Sequence, residues 1–231
     1  MKTWLIIGSS RGIGLEFVRQ ILAQGDRVIA TVRNVESASV LYQFQQTLPI
    51  GFLQMLLCDV STEQSINAFI QEFGGLQFPS QQIDFVVLNA GILKYPNRAT
   101  EMYRQKYPAQ KLLATGIPIG TIMFMSSDSA SATKFMAFED GFAAYAASKS
   151  ALNQALRHMA EELKRKNSKT VILAMHPGEV ATDMANIDIT WDIEGVLKPE
   201  ESVKAMISVI SSKGLADTGT FWTWEGKVHP W

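Results

Sequence analysis

The pentapeptide YAASK places Tyr145 and Lys149 four residues apart. On a helix that spacing sets a phenol and an ammonium side by side on one face. A tyrosine with an ordinary pKa near ~10 is a poor acid or base at neutral pH. A neighbouring cation favours the phenolate and lowers that pKa, which would make the tyrosine a better acid–base group. Ser126 and Ser127 close the apolar run GTIMFMSS. A hydroxyl there would hold a carbonyl oxygen in line with the tyrosine. Alone, a Tyr and a Lys at this spacing describe a surface pair, so the case for chemistry depends on what else lies at the strand ends.

A second group suits an anion. GSSRGIG, Gly8–Gly14, lies between the first strand pattern and the first helix pattern. The first glycine permits a sharp turn, and the later ones let backbone approach a diphosphate that rests on the helix N-terminus. A glycine-rich turn is a weak signal by itself and a stronger one at this junction. A site for NAD usually has an Asp or Glu at the end of the second strand, facing the ribose hydroxyls. Here that strand ends ATVRN, with Arg33 and no acid, and Arg11 lies inside the glycine turn. Two guanidinium groups suit a 2′-phosphate, so the pattern favours NADP(H) over NAD(H).

These groups need a scaffold, and the apolar pattern supplies one. Strands are predicted at Trp4–Ile7, Arg27–Val32, Phe52–Cys58, Ile83–Leu88, Thr121–Met125, Val171–Met175 and Gly219–Trp224. Helix patterns lie between them. The first carries Ile13, Phe17, Val18, Ile21 and Leu22 and stops at Gly25. The second carries Val40, Leu41, Phe44 and Leu48. The third follows a capping box of Ser61 with Gln64 and buries Ile66, Phe69, Ile70 and Phe73. A long helix runs from about Phe142 to Lys166, and another starts at Pro199. The strands are continuous apolar runs, the mark of a parallel sheet covered on both faces. The fold class is therefore α/β: a single doubly wound, Rossmann-type parallel sheet, with residues 1–231 as one domain and its ligand at the carboxyl ends of the strands.

Composition excludes several other classes. Twenty-one basic and 22 acidic side chains leave a net charge of −1, so nothing calls for nucleic acid or an acidic membrane surface. The single cysteine, Cys58, allows no intramolecular disulfide and fits a reducing compartment. No apolar run reaches the ~18 residues of a membrane span. MKTWLIIG enters the first strand directly, which leaves no room for a cleavable signal, and a cytoplasmic location is expected. His158, His176 and His229 show no metal spacing, so no metal is expected. Cys58 reads as a small buried hydrophobe. Phe221, Trp222, Trp224 and Trp231 read as core or subunit-interface packing.

Taken together the motifs fall in one order: the glycine turn, CDV at Cys58–Val60, NAG at Asn89–Gly91, the serine pair, YAASK, and HPGEVATDM at His176–Met184. This set resembles the short-chain dehydrogenase/reductase family over nearly the whole chain. RGIGLEFVRQ, ASKSALN, HPGEVATDM and the ending GTFWTWEGKVHPW are similar to its C-factor and sniffer-type carbonyl reductase subgroup. The resemblance implies that Tyr145 protonates the substrate oxygen while NADPH delivers hydride. It implies that Lys149 holds the nicotinamide ribose and tunes Tyr145, and that Ser127 orients the carbonyl. The same resemblance places Gly8, Ser10, Arg11, Gly12, Ile13, Gly14 and Arg33 against the cofactor. Asp59 would meet the adenine amino group beside the Val60 backbone. Asn89, Ala90 and Gly91 would let the fourth strand pass close to the cofactor, and Pro177, Gly178, Val180 and Thr182 would contact its nicotinamide end, as Tyr145 and Lys149 also would.

Several residues depart from that pattern. Ile7 stands where threonine is usual. Ser127 and Tyr145 are separated by DSASATKFMAFEDG, an insert similar to the longer loop of the subgroup, which would border the substrate. The stretch between NAG and the serine strand is short and polar. Asn97 there lies too close to NAG to match the family's relay asparagine, which holds a water in proton transfer. Within 92–120, Asn97 is expected to cap a short helix with Ala99, Met102, Tyr103 and Tyr107 on one face, ended by Pro108. A second turn through Lys111–Ala114 would bury Leu112 and Leu113. In the family that surface carries much of a dimer interface, so a homodimer is possible with its interface in doubt. Trp191 is expected to reach substrate from the loop after HPGEVATDM.

The leading expectation is an NADPH-dependent reductase of small carbonyl compounds, such as aldehydes, ketones or quinones, slowed by the missing asparagine. A cofactor-binding scaffold or signalling protein of the same fold, and a poorly folding product, stay open beside it.

Overall fold

The computed structural model describes residues 1–77, 82–91, 108–139, 141–185 and 195–231. The expected helix at 97–107 and Trp191 lie outside these residues. Seven strands are described: β1 (Thr3–Ile7), β2 (Arg27–Val32), β3 (Leu53–Leu57), β4 (Ile83–Leu88), β5 (Ile119–Met125), β6 (Val171–His176) and β7 (Thr220–Thr223). They form one sheet in the order β3-β2-β1-β4-β5-β6-β7. The pairings of β1 with β2 and β4, of β2 with β3, and of β6 with β7 are parallel. Among the described residues the α-helices are α1 (Gly12–Ala23), α2 (Ser39–Thr47), α3 (Glu63–Gly74), α4 (Pro108–Ala114), α5 (Ala143–Arg165) and α6 (Pro199–Ser212).

By density of internal contacts the chain divides into two units. The first holds residues 1–90 and the described part of 105–122. Every residue of β1 is buried, because both faces of the strand are covered. Trp4 stacks on Phe85 with ring centres 4.1 Å apart. Phe17, Val18 and Ile21 of α1 and Ile66, Phe69 and Phe73 of α3 are buried, as their periodicity predicts.

The second unit holds residue 91 and the described part of 123–231. Its core gathers Met123 and Phe124, Ile172 and Leu173, Met206 and Ile210, and Phe221. Helix α5 runs 23 residues with Lys164 and Arg165 in its last turn, where cations complement the helix dipole.

One local expectation is corrected. The N-cap of α3 is Thr62, whose hydroxyl accepts from the Ser65 amide at 3.3 Å, not Ser61. Ser61 instead donates to the Asp59 carboxylate from both its amide and its hydroxyl. Asp59 wins Ser61 because the two-residue separation closes a tight Asx-type turn before the helix begins. Helix α4 opens at Pro108, and the helix that Pro108 is expected to end lies outside the described residues. Proline lacks the amide that a first helical residue leaves unused, so it suits that position. Leu112 is fully buried as expected, and Leu113 is only half-buried.

Candidate active site

Tyr145, Lys149 and Asn153 recur at i, i+4 and i+8, so they share one face of α5. Each meets the C-terminal end of β5. The Tyr145 phenol is in hydrogen-bonding range of Ser127. The Lys149 ammonium donates to the Met125 carbonyl at 2.8 Å. Ser126 donates to Asn153 Oδ1 at 2.7 Å, and both residues are buried. Ser150, one position along, donates to the Ala130 carbonyl at 2.8 Å. The two serines thus take different partners. Ser126 locks helix to strand, and Ser127 reaches the phenol.

The electrostatics differ from the sequence expectation. A cation was expected to lower the Tyr145 pKa. Burial instead pushes the phenol up to about 12; the Ser127 hydrogen bond opposes this, and the charges of Asp128, Glu179 and Glu139 add to it. The Lys149 ammonium lies 5.7 Å from the centre of the Tyr145 ring, over its face, and is bound to a backbone carbonyl. Burial brings its own pKa down to about 8.

Among the described residues, three carboxylates stand around this pair. Asp128 opens a 3-10 turn (Asp128–Ala130), and its Oδ1 receives the Ser127 hydroxyl at 3.1 Å and the Ser129 amide at 2.9 Å. Glu139 Oε1 receives the Ser129 hydroxyl at 2.9 Å. Burial raises the Glu139 pKa, the Ser129 bond opposes the rise, and the Asp128 charge adds to it. Glu179 is raised for the same first reason, with Asp128 and Glu139 adding to it. His176 ends β6, and its Nδ1 accepts the Asp128 amide at 3.2 Å. An amide can only donate, so that nitrogen carries no proton and the ring hydrogen is assigned to Nε2. Burial lowers the His176 pKa, Asp128 opposes and His229 adds to the lowering. Asp128, His176 and Glu179 bring ligand atoms within 4.8 Å of one another.

The chain after β6 continues the site. The Pro177 carbonyl receives the Ser202 hydroxyl at 2.6 Å, which ties the turn to α6. Gly178 packs against Leu197 and Trp224. Val180 is buried and pairs with Leu197 in an isolated bridge. A cleft of about 440 Å³ is lined by Glu179–Asp183 together with Ala185 and Val196, so it includes Val180 and Thr182.

In the first unit the glycine turn is held from both sides. Gly8 has φ +88°, a conformation that side chains other than hydrogen rarely adopt. Its amide donates to Thr31 Oγ1 on β2 at 3.0 Å, and its carbonyl receives the Asn89 amide nitrogen at 2.8 Å. Gly14 has no room for a side chain, since a Cβ there would stand 1.9 Å from the Gly8 oxygen. Helix α1 begins after Arg11 with no side-chain cap and no acid in its first turn. Its leading amides therefore fit a phosphate, and so does the absence of an acid at the end of β2, where Arg33 is exposed. Arg33 lies near Asp59, whose pKa is lowered first by its Ser61 bonds and further by that guanidinium.

Residues 7–192 match the family model described as Enoyl-(Acyl carrier protein) reductase. The chain belongs to the short-chain dehydrogenase/reductase family. An uncharacterised oxidoreductase of Schizosaccharomyces pombe is 28% identical over 257 residues, covering 99% of this chain and 98% of the relative. The C-signal of Myxococcus xanthus is 38% identical over 93 residues, 40% of this chain and 51% of that protein. An NADPH-bound carbonyl reductase from chicken fatty liver superposes with a TM-score of 0.84 at 26% identity, covering 100% of this chain and 99% of that one. The carbonyl reductase Sniffer of D. melanogaster shares the fold, with a TM-score of 0.81 at 24% identity and full coverage of both chains.

In this short-chain dehydrogenase/reductase, the sequence singles out Ser127, Tyr145 and Lys149, and the structure brings them to one helix–strand corner. Gly8, Gly14, Asn89 and Ala90 meet around the glycine turn. Thr31, Asn153, Asp128, Glu139 and Glu179 went unassigned. Asn153 carried a signal, its place eight residues after Tyr145 on one helix face. The acids carried none, because their meeting depends on how the 128–141 insert folds. Cys58 is buried, and burial followed by the Asp59 charge pushes its thiol up to about 12, so it is no nucleophile. His158 is exposed on α5. Phe221 and Trp222 are buried, and Trp231 stacks on Phe221 at 5.5 Å.

Proposed function

We propose that this chain is an NADPH-dependent reductase of small carbonyl compounds, an aldehyde, ketone or quinone. The observation that carries the reading is the Tyr145 phenol in hydrogen-bonding range of Ser127, with Lys149 one turn further on the same face. When bound, NADPH supplies the hydride for the carbonyl carbon. Ser127 orients the carbonyl oxygen, and Tyr145, kept protonated by burial, gives that oxygen its proton. Lys149 would exchange the Met125 carbonyl for the nicotinamide ribose. Gly8, Ser10, Arg11, Gly12, Ile13 and Gly14 would cradle the diphosphate, with Arg11 and Arg33 on the 2′-phosphate. Asp59 and Val60 would meet the adenine, and Asn89, Ala90, Gly91, Pro177, Gly178, Val180 and Thr182 the remainder. Residues 1–231 act as one cytoplasmic domain, alone or as a homodimer. The NADPH in the chicken carbonyl reductase supports the cofactor reading.

The stretch 92–120 holds no asparagine at the family's relay position, which favours slow turnover. The similarity to C-signal favours a second reading, a cofactor-binding signalling protein that no longer turns over. Calorimetric titration with NADPH and NADH tests the site, and loss of NADPH absorbance with para-nitrobenzaldehyde, cyclohexanone and phenanthrenequinone tests the reaction. Tight NADPH binding and turnover abolished by Tyr145→Phe are expected. Tight binding without turnover of any probe favours the signalling reading, and no binding of either nucleotide discards both.

A further inference from the structure

A tyrosine that has given up its proton must regain one before the next turnover, and burial makes the bare phenolate costly. A continuous path of hydroxyls leads away from this phenol. Tyr145 is in hydrogen-bonding range of Ser127. Ser127 Oγ lies 3.2 Å from Ser129 Oγ, a contact its one hydroxyl hydrogen makes as the alternative to Asp128 Oδ1 at 3.1 Å, and Ser129 Oγ donates to Glu139 Oε1 at 2.9 Å. Hydroxyl hydrogens rotate, so the same contacts serve in either direction. We propose that Glu139 is the proton donor that recharges Tyr145, through the hydroxyls of Ser129 and Ser127. The inference rests on the reductase reading above.

Each transfer balances. Tyr145 loses its O–H proton to the substrate oxygen. The phenolate takes the Ser127 proton, Ser127 takes the Ser129 proton, and Ser129 takes the Glu139 carboxyl proton. The carboxylate left behind is reprotonated by solvent, and no electrons move in the relay. Glu139 is half-buried, so water reaches the far end of the path. The groups facing Glu139 are Asp128 and Ser129 on the 3-10 turn and Glu179 after β6; Tyr145 faces all three acids from α5. Burial makes Glu139 hold its proton more tightly than an ordinary glutamate; the Ser129 bond opposes this and the Asp128 charge adds to it. Asp128 lies nearer to Ser127. Its Oδ1, however, is also taken by the Ser129 amide, whose hydrogen cannot be passed on.

Glu139 does not touch the reacting atoms, so its test needs a readout that a structural role would leave alone. The full chain, E139Q and S129A are compared with NADPH and whichever of the three carbonyl probes it turns over. In E139Q and in S129A, kcat falls by about 10²-fold with KM and NADPH affinity unchanged, since a lost acid–base group costs at least that much. Added formate or imidazole buffer restores kcat in both variants and does nothing for the unaltered chain. Should E139Q fail to fold, S129A reads the same break with every carboxylate in place. Unchanged kcat in S129A, or a loss that small acids do not rescue, overturns the relay. A rescued loss in D128N with E139Q unaffected moves the donor to Asp128 and overturns the assignment to Glu139. If the unaltered chain turns over none of the probes, the reductase reading fails and the relay with it. Turnover that is indifferent to E139Q and S129A sinks the relay alone.

Discussion

The Lys149 ammonium and the Met125 main-chain carbonyl are hydrogen-bonded at 2.8 Å, so the cation expected to act on Tyr145 is anchored to the end of β5. Lys149 is half-buried, and the desolvation of its ammonium leaves a mark on stability. Burial lowers the Lys149 pKa from 10.5 to about 8. Between those values the unfolded chain binds a proton that the folded chain does not, so stability rises with pH across that window. Below it both states are charged and the burial penalty is fully present. Tyr145 acts in the opposite sense, but only above its ordinary value of 10. Urea midpoints of the cofactor-free chain should therefore climb from about pH 8 to about pH 10. Lys149→Met should flatten that climb, and an unaltered slope in the variant would refute the assignment.

Ser126 and Ser127 should fail in different ways. Ser127→Ala removes the hydroxyl facing Tyr145 and should lower kcat by about 10²-fold or more while the melting temperature holds. Ser126→Ala leaves the buried Asn153 Oδ1 without its hydroxyl donor. A buried polar atom so stranded costs about 1–3 kcal/mol, and Asn153 Nδ2 already has no partner among the described residues. The S126A chain should melt earlier with kcat nearly unchanged. Replacing the pair together, as Ser126→Ala with Asn153→Leu, should recover most of that loss. A reversal of the two phenotypes would show that the wrong serine has been assigned to the substrate.

Arg11 and Arg33 should distinguish the two nicotinamide cofactors. A guanidinium bound to phosphate contributes about 1.5–3 kcal/mol, roughly a tenfold to hundredfold change in affinity. Arg33→Ala should weaken NADPH by that factor and leave NADH where it was. Equal weakening of both nucleotides would mean that Arg33 supports the loop and does not read the 2′-phosphate.

Gly14→Ala offers a harsher test of the turn. The added methyl would meet the Gly8 carbonyl oxygen at 1.9 Å, and that oxygen belongs to backbone that cannot swing aside. Nucleotide binding should vanish, with a loss of several kcal/mol in stability of the kind overpacking produces. Gly25→Ala is the control, because among the described residues nothing lies within 4 Å of a Cβ there, and the positive φ opposes it. Nucleotide binding by G14A at full affinity would show the turn to be far softer than its contacts suggest.

The frame was readable because its signals are local and repeated. Val28 and Ile29, or Val86 and Val87, announce buried strands wherever they occur, and the phase of Phe17 and Ile21 fixes a helix face. Tyr145 and Lys149 were readable for the same reason, as four-residue spacing is a property of the helix alone. The acids were not. Glu139 reaches Ser129 across ten residues of irregular chain, and Glu179 arrives from another strand end. The charge of Lys149 was also misjudged, because proximity along a helix says nothing of whether an ammonium turns toward a phenol or a carbonyl. Competition between neighbouring caps, Ser61 against Thr62, was decided by the Asp59 turn, a contact two residues long that a capping pattern ignores.

The glycine turn between β1 and α1 is braced by Thr31 on one flank and Asn89 on the other. A loop fixed in this way before any ligand arrives has little freedom left to lose. Nucleotide binding should then carry a small entropic penalty and a fast association rate, as docking onto a rigid template does. Cutting either brace, by Thr31→Val or Asn89→Leu, would turn the same recognition into a slower folding-upon-binding event, with affinity lost through ordering and every phosphate contact still in place.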